Sequence, residues 1–200
     1  PTDVVALFSF EVRVREQLWK VQPGDVVLDV GAAYGSYTLS ALAMGAAKVI
    51  AVEPGKEEFF GLCANINLNG WQDRCWALNA VLCDRLGAVG YHPSTHSLVV
   101  QQGAQESRLS ATVDWVVEAD ELQWLNWIKV DVEGAEVAVI KGAVKTLGRF
   151  RPRLLIEHHT QWVPQAEEQI RRMLVPLGYG ETKATVEVVN GRWILWECKR

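Results

Sequence analysis

From Lys129 to Glu136 the chain reads Lys-Val-Asp-Val-Glu-Gly-Ala-Glu, placing the carboxylates of Asp131, Glu133 and Glu136 close together. Trp127-Ile128 leads into this stretch, and Val137, Ile140, Val144 and Leu147 follow at the spacing of one helical face. The chain should therefore leave a hydrophobic strand, present its acids and turn back as a helix. Ligands of an open parallel sheet bind outside the carboxyl ends of its strands, so acids there are placed to act on a ligand. For Glu136 a plainer role stands beside this one, because an acid in a helix's first turn complements the helix dipole. Carboxylates so placed suit proton acceptance or the orientation of a hydroxyl.

A second group surrounds a glycine loop. Asp29-Val-Gly31-Ala-Ala-Tyr34-Gly35 follows the apolar run Val26–Val30 and opens a helix. Glycines there let backbone N–H groups approach a ligand where a Cβ would collide. The spacing is not the Gly-x-Gly-x-x-Gly of dinucleotide binders, and no Gly-Lys-Ser/Thr follows, so NAD is disfavoured and a P-loop is excluded. Asp29 puts a carboxylate beside the ligand, which suits an amine-bearing cofactor better than a pyrophosphate. Glu53, about twenty residues on, ends the next strand where an acid can accept from both ribose hydroxyls. Glycine turn, Asp29 and Glu53 together suggest S-adenosylmethionine, which has a ribose and an amino-acid tail but no phosphate.

The elements that must position these groups alternate between apolar runs and helical periods, the pattern of an α/β fold. Residues 4–20 are expected as a helix, Val26–Val30 as a buried strand, and Ser36–Met44 as a helix closed by Gly45. Residues 49–52 form a second strand ending at Glu53-Pro54; Phe59, Leu62, Cys63 and Ile66 mark a helix stopped by Asn69-Gly70; residues 75–82 form a third strand. Over about 84–117 the alternation breaks into strand-like pieces (Gly87–Tyr91, Leu98–Val100, Thr112–Val117), suggesting an inserted hairpin or lid. Ile128–Asp131 and Leu154–Glu157 are the next core strands, and a helix at about 165–175 precedes Pro176 and Gly178. The chain ends in a hairpin, Ala184–Val189 and Trp193–Glu197, with Asn190-Gly191 as a type I′ turn signal.

Two hundred residues, 49% hydrophobic and 22% charged, fit one soluble domain, residues 1–200, with chain enough for a real core. A net charge of -4 argues against a nucleic-acid groove. No apolar run reaches membrane-span length, and Pro-Thr-Asp resembles no signal peptide. The first residue is not methionine, so the chain is expected to be trimmed or part of a longer product. Cys63, Cys75, Cys83 and Cys198 lack CxxC spacing and read as reduced thiols of a cytoplasmic protein. Nine tryptophans are expected in the core or lining a pocket.

From about residue 11 to residue 160 the chain resembles the FkbM-type S-adenosylmethionine-dependent methyltransferases. The resemblance is carried by Gly24-Asp25-Val-Val-Leu-Asp29-Val-Gly31-Ala, Gly35 with Tyr37-Thr38, Glu53-Pro54, Asn65, Asn69 and Asp114. It continues through Ile128–Glu136, Lys141-Gly142-Ala143, and Leu155-Ile156-Glu157 with His159. It implies a class I methyltransferase (Rossmann-like) sandwich: a seven-stranded, mostly parallel sheet, last strand antiparallel, in the order 3-2-1-4-5-7-6. It also implies methylation of hydroxyl groups on sugars, glycans or natural-product small molecules. Two positions depart from the pattern: Ala33 stands where relatives usually have Asn, and Trp115 where a second acid commonly follows Asp114.

On this resemblance Gly31, Ala32, Tyr34 and Gly35 wrap the methionine part of the cofactor, and Asp29 lies near its ammonium group or fixes the loop. Glu53, with Pro54 beside it, holds the ribose, and Ala80 and Val81 lie against adenine or simply pack. Tyr37 and Thr38 reach the cofactor carboxylate, unless Thr38 only supports its helix. Asn69 reads as a helix cap. Asp131 orients the acceptor or takes its proton, and also lies beside the cofactor. Of His158 and His159, strand alternation lets one face the site; family matching selects His159, which with Asp131 and Glu133 makes the catalytic set. Asp131, Glu157 and His159 have the ligand types for Mg²⁺, but no spacing motif supports an ion and none is assigned. The alternatives are a non-catalytic S-adenosylmethionine-binding protein and an RNA methyltransferase, the latter lacking a basic, aromatic-interleaved stripe. A small-molecule or glycan partner is expected, without nucleic acid or membrane. The acceptor's identity and the oligomeric state are not legible.

Overall fold

Short apolar runs become strands covered on both faces, and the helical periods between them become the covering layers. The computed structural model describes residues 12–92, 97–99, 106–159, 163–188 and 191–198. The first half contains α1 (Val12–Gln17), β1 (Val26–Val30), α2 (Ser36–Ala43), β2 (Lys48–Val52), α3 (Lys56–Leu68) and β3 (Cys75–Leu78). Next come β4 (Val81–Leu82), β5 (Gly87–His92), β6 (Ser97–Val99), β7 (Glu106–Ala111) and α4 (Val113–Ala119). The second half contains β8 (Trp127–Val130), α5 (Glu136–Lys141), α6 (Val144–Phe150), β9 (Arg153–His158), α7 (Ala166–Leu174), β10 (Tyr179–Val188) and β11 (Gly191–Cys198).

The main sheet has the strand order β10-β11-β9-β8-β1-β2-β3. β1 pairs in parallel with β2 and β8, and β11 runs antiparallel to both β9 and β10. This is the class I order 3-2-1-4-5-7-6 with one reversed strand. All five residues of β1 are buried, as expected of a strand covered on both faces. Alternation sends Val26, Leu28 and Val30 into a core with α4 to α7, and Val27 into a core with α1 and α2. In that second core Trp19 meets Tyr37 and Trp127 at ring-centroid distances of 5.4 and 5.0 Å, and Tyr37 stacks on Trp193 at 5.4 Å. Trp19, Trp127, Trp193 and Trp196 are fully buried. The four cysteines are free thiols. Among the described residues no helix is long and apolar enough to cross a membrane.

The structure corrects several boundaries. Residues 75–82 are not one strand: β3 ends at Leu78, and Val81-Leu82 pairs instead with Ser110-Ala111 in a second sheet ordered β4-β7-β5-β6. Thr112–Val117 is not strand but the start of α4. Its valines suggested a strand, yet Thr112 caps a helix by accepting the Trp115 N–H at 3.0 Å, and Val113, Val116 and Val117 bury one face. The helix after Glu136 breaks at Gly142, where an added Cβ would lie 2.1 Å from the Cys83 carbonyl oxygen. Asp114 then accepts the Thr146 N–H at 2.8 Å and starts α6.

β10 starts earlier than expected, at Tyr179, and pairing shifts register between Glu181 and Thr185. Val188 lies opposite Gly191, and residues 189–190 between them fall outside the described residues. The same holds for residues 4–11 of the expected first helix and for Val100.

Candidate active site

One cleft opens across the carboxyl ends of β1, β2 and β8, where a doubly wound sheet binds its ligands. Its first wall is the loop after β1, in which Gly31, Ala33 and Gly35 take φ of +77°, +47° and +97°. Gly31 has no alternative: an added Cβ would sit 1.7 Å from the Asp131 carbonyl oxygen. Ala33 adopts a left-handed conformation that Asn tolerates better. The Gly31 and Ala32 N–H groups donate to the Val52 carbonyl at 2.9 and 3.0 Å, tying the loop to β2.

Beneath the loop lies a buried ionic strut. The register sets Lys129 directly beside Asp29, and both are almost fully buried. Lys129 Nζ donates to the Gly31 carbonyl at 2.6 Å and lies 3.3 Å from Asp29 Oδ1 and 3.5 Å from Asp131 Oδ2. It also sits 5.1 Å from the centre of the Tyr37 ring. The hydroxyl of Thr38 donates to Asp29 Oδ2 at 2.7 Å. Asp29 thus fixes the loop from below. The Tyr37 and Thr38 side chains, expected to reach a cofactor carboxylate, are instead spent on the core and on Asp29. Ala32 turns away as well, into a cluster with Leu62 and Ile66.

Glu53 closes the first wall. Its carboxylate accepts the Ala33 N–H at 2.8 Å and the Gly55 N–H at 2.7 Å, and Asn79 donates to its carbonyl at 2.7 Å. Burial pushes the Glu53 carboxyl up, and the two N–H donors work against that shift. Ala80 and Val81 line the cleft beside it, as do Tyr34 and Pro54. Tyr34 is held from outside: Asn65 donates to its carbonyl at 2.9 Å, and its ring covers Gly61, where a Cβ would lie 2.5 Å from Tyr34 Cδ1. Asn69 ends α3, donating to the Asn65 carbonyl at 2.8 Å.

The second sheet contributes a part that the sequence did not mark. Tyr91, on β5, lines the cleft. Arg108, on β7, lies 5.2 Å from the centre of that ring, pairs with Glu106 and donates Nε–H to the Pro54 carbonyl at 3.0 Å. Glu58 also lines the cleft; an acid in the first turn of α3 is equally explained by the helix dipole, so its type gave no signal.

The opposite wall is made of ionisable side chains. Asp131 and Glu133 line the cleft after β8, and His159 follows β9 just behind them. His159 Nδ1 meets Glu136 Oε1 at 2.7 Å, and the same oxygen accepts the Gly134 N–H at 2.9 Å. Glu136 is therefore more than a dipole partner: it is completely buried and tethers the histidine. His159 Nε2 lies 3.3 Å from Glu133 Oε2, 3.8 Å from Asp131 Oδ1 and 3.9 Å from Glu157 Oε2. Burial opposes the charged ring, but the Glu136 hydrogen bond and the surrounding carboxylates prevail and push His159 up to about 9. His158 enters other surroundings, 6.4 Å from Trp196 between ring centres, and burial pulls it down to about 4. Neither of its ring nitrogens has a hydrogen-bond partner.

Of the residues expected at the site, the structure brings Gly31, Tyr34, Glu53, Pro54, Ala80, Val81, Asp131 and Glu133 to the cleft surface. Asp29, Ala32, Gly35, Tyr37, Thr38 and His159 are not on that surface. Gly35 backs onto Leu62, whose Cδ1 a Cβ would approach to 2.7 Å.

The sheet order and the position of the cleft define a class I methyltransferase core. The chain matches the family described as "Methyltransferase FkbM domain" over residues 29–180, and it belongs to that family. Among solved structures, methyltransferase FkbM from Methylobacillus flagellatus superposes with a TM-score of 0.70 at 16% identity, over 94% of this chain and 47% of that one. This chain thus spans about half the length of that protein. A candidate methyltransferase from Escherichia coli, YhhF, gives 0.58 at 12% identity, over 96% of this chain and 86% of that one. A candidate rRNA methylase from Clostridium thermocellum gives 0.57 at 8% identity, with 88% of each chain covered. At such identities these likenesses speak for the fold alone. No curated protein matches the chain.

Proposed function

We propose that this methyltransferase moves a methyl group from S-adenosylmethionine to a hydroxyl of a sugar, glycan or natural-product small molecule. The observation that carries the reading is the Glu53 carboxylate, aimed into the cleft and held on each oxygen by a backbone N–H. Each oxygen keeps a lone pair, so the pair can accept both hydroxyls of a ribose. Ala80 and Val81 next to it offer an apolar face for a base, and the Gly31 turn leaves room where a side chain would intrude. The residues present therefore fit the cofactor, which when bound supplies an already activated methyl group.

The chain's own part is alignment and proton handling. The first turn of α2 presents its backbone N–H groups beside the loop from Gly31 to Gly35, whose own amides at Gly31, Ala32, Ala33 and Gly35 bond within the protein and fix its shape. Asp29 and Lys129 hold that loop from below. Alignment of donor and acceptor at near-attack distance is the main source of rate in such a displacement. Asp131, at the end of β8 and partly exposed, is placed to accept the hydroxyl proton as the new bond forms. Glu133 and the tethered His159 border it and orient the acceptor. The acidic wall disfavours a polyanionic acceptor, which sets the RNA methyltransferase alternative behind this one. The free thiols accord with a reducing, cytoplasmic setting.

Calorimetric titration of S-adenosylhomocysteine tests the reading. Micromolar binding is expected, weakened in Glu53→Ala, followed by transfer of labelled methyl to members of a hydroxylated acceptor panel. An intact, folded protein that does not bind S-adenosylhomocysteine would overturn it.

A further inference from the structure

The acceptor wall holds more ligand atoms than proton transfer needs. Asp131, Glu133 and His159 each offer one such atom, and the three lie within 4.8 Å of one another. We propose that they bind a divalent cation at the mouth of the cleft, through one oxygen of each carboxylate and Nε2 of His159. Binding of the ion is independent of the function proposed above; only its service to an acceptor hydroxyl rests on that reading.

The spacing is that of donors around an ion. Nε2 stands 3.3 Å from Glu133 Oε2 and 3.8 Å from Asp131 Oδ1. Charge-assisted hydrogen bonds close to about 2.7–2.9 Å, so these contacts are too long for strong ones. An octahedral ion with bonds of about 2.1 Å sets adjacent donors about 3.0 Å apart and opposite donors about 4.2 Å apart. Both distances from Nε2 fall within that range.

The histidine is also built for the task from behind. Its side chain is 4% exposed, and Nδ1 is engaged by Glu136 Oε1 at 2.7 Å, which leaves Nε2 as the nitrogen directed among the carboxylates. A carboxylate on the far nitrogen of a ligating histidine fixes its tautomer and raises its basicity. Glu136 is itself fully buried, and its second oxygen has no hydrogen-bond partner.

Two carboxylates and an imidazole suit an ion that accepts both oxygen and nitrogen, and Mn²⁺ fits this set better than Mg²⁺. Three protein ligands leave coordination positions open towards the cleft, where Asp131 and Glu133 form part of the surface. A hydroxyl bound there would lose its proton more readily than in water.

The test uses metal-stripped, full-length protein titrated with MnCl₂, with loss of the free Mn²⁺ paramagnetic resonance signal as the readout. S-Adenosylhomocysteine is titrated into the same preparation. One ion per chain is expected, with affinity reduced about tenfold or more in Glu133→Gln and in His159→Gln, and about tenfold in Glu136→Gln. Glu133→Gln is partly exposed and keeps its shape, so its loss of binding does not depend on the stability of the histidine variant. If Mn²⁺ does not bind at millimolar concentration while S-adenosylhomocysteine does, the site is overturned and the function stands. Equal Mn²⁺ affinity in wild type and Glu133→Gln would place the ion elsewhere and likewise overturn it. Specific Mn²⁺ binding without S-adenosylhomocysteine binding would uphold the site and count against the function.

Discussion

The wall formed by the ends of β1 and β2 is shaped by main chain, with three left-handed residues in one loop and a single carboxylate held by two N–H groups. The wall formed by the ends of β8 and β9 is shaped by side chains, with four carboxylates gathered round one imidazole. On the proposed function the first would recognise a ligand by leaving room and by the Glu53 carboxylate, and the second would act on one through charge and protons. Substitutions should therefore have different consequences on the two sides. On the first wall the critical losses are of backbone geometry, and on the second they are of titration and ligation.

The largest effect is expected where the walls touch. Gly31→Ala forces a Cβ against the Asp131 carbonyl at a positive φ, and should cost more than about 3 kcal/mol. Thermal denaturation should show a fall of at least roughly 6 °C, and an unchanged melting temperature would refute the contact. Glu133→Gln, on the side-chain wall, should stay within about 1 kcal/mol of wild type.

His158 sharpens the contrast between histidines of one wall. An unfolded histidine titrates near 6.5 and this buried ring at about 4. Between those values the unfolded chain holds a proton that the native chain lacks, so stability falls as pH drops and the residue contributes nothing above 6.5. The difference amounts to about 3 kcal/mol. Urea titrations at pH 7 and pH 4.5 should show His158→Leu losing less stability with acid than wild type; parallel losses would show that the ring does not resist protonation.

A smaller effect distinguishes the walls by binding. Glu53→Ala should weaken S-adenosylhomocysteine about thirtyfold, or about 2 kcal/mol, whereas Glu133→Gln should change it less than about twofold, by the same calorimetry. Equal losses in the two variants would erase the division of labour. The smallest effect belongs to Ala33→Asn, which relieves a left-handed alanine by about 1 kcal/mol and should raise the melting temperature by roughly 2–4 °C.

Legibility in the sequence followed the same division. The order of the main sheet, the glycine turn and the positions of Asp131, Glu133 and Glu53 could be read because strand ends and turns leave local signals in residue type. The second sheet was legible only in part: strand-like pieces at Gly87–Tyr91 and from Leu98 were expected, but no local pattern marks the pairing of Val81 with Ser110 or of Tyr91 with Glu106 across the intervening chain. Valine-rich residues 112–117 looked like strand until Thr112 capped them as helix, an instance of tertiary burial deciding what propensity left ambiguous. That the Tyr37 and Thr38 side chains turn to the core and to Asp29 could not be read, because proximity in sequence to a loop does not say which way a helix turns its side chains. The tether from Glu136 to His159 spans 23 positions, and its strength depends on a burial that only the fold creates.

The near-contact of Gly31 with the Asp131 carbonyl has a bearing on inheritance. Two loops that meet through main-chain atoms cannot change length or path one at a time, because a shift in either leaves a collision or a gap that no side chain can repair. They should accumulate insertions jointly or not at all, while β5 to β7, joined to the Glu53 wall through the Arg108 contact with Pro54, are free to lengthen and diversify. New acceptors would then be gained by redrafting the second sheet, with the meeting point of the two loops carried unchanged from ancestor to descendant.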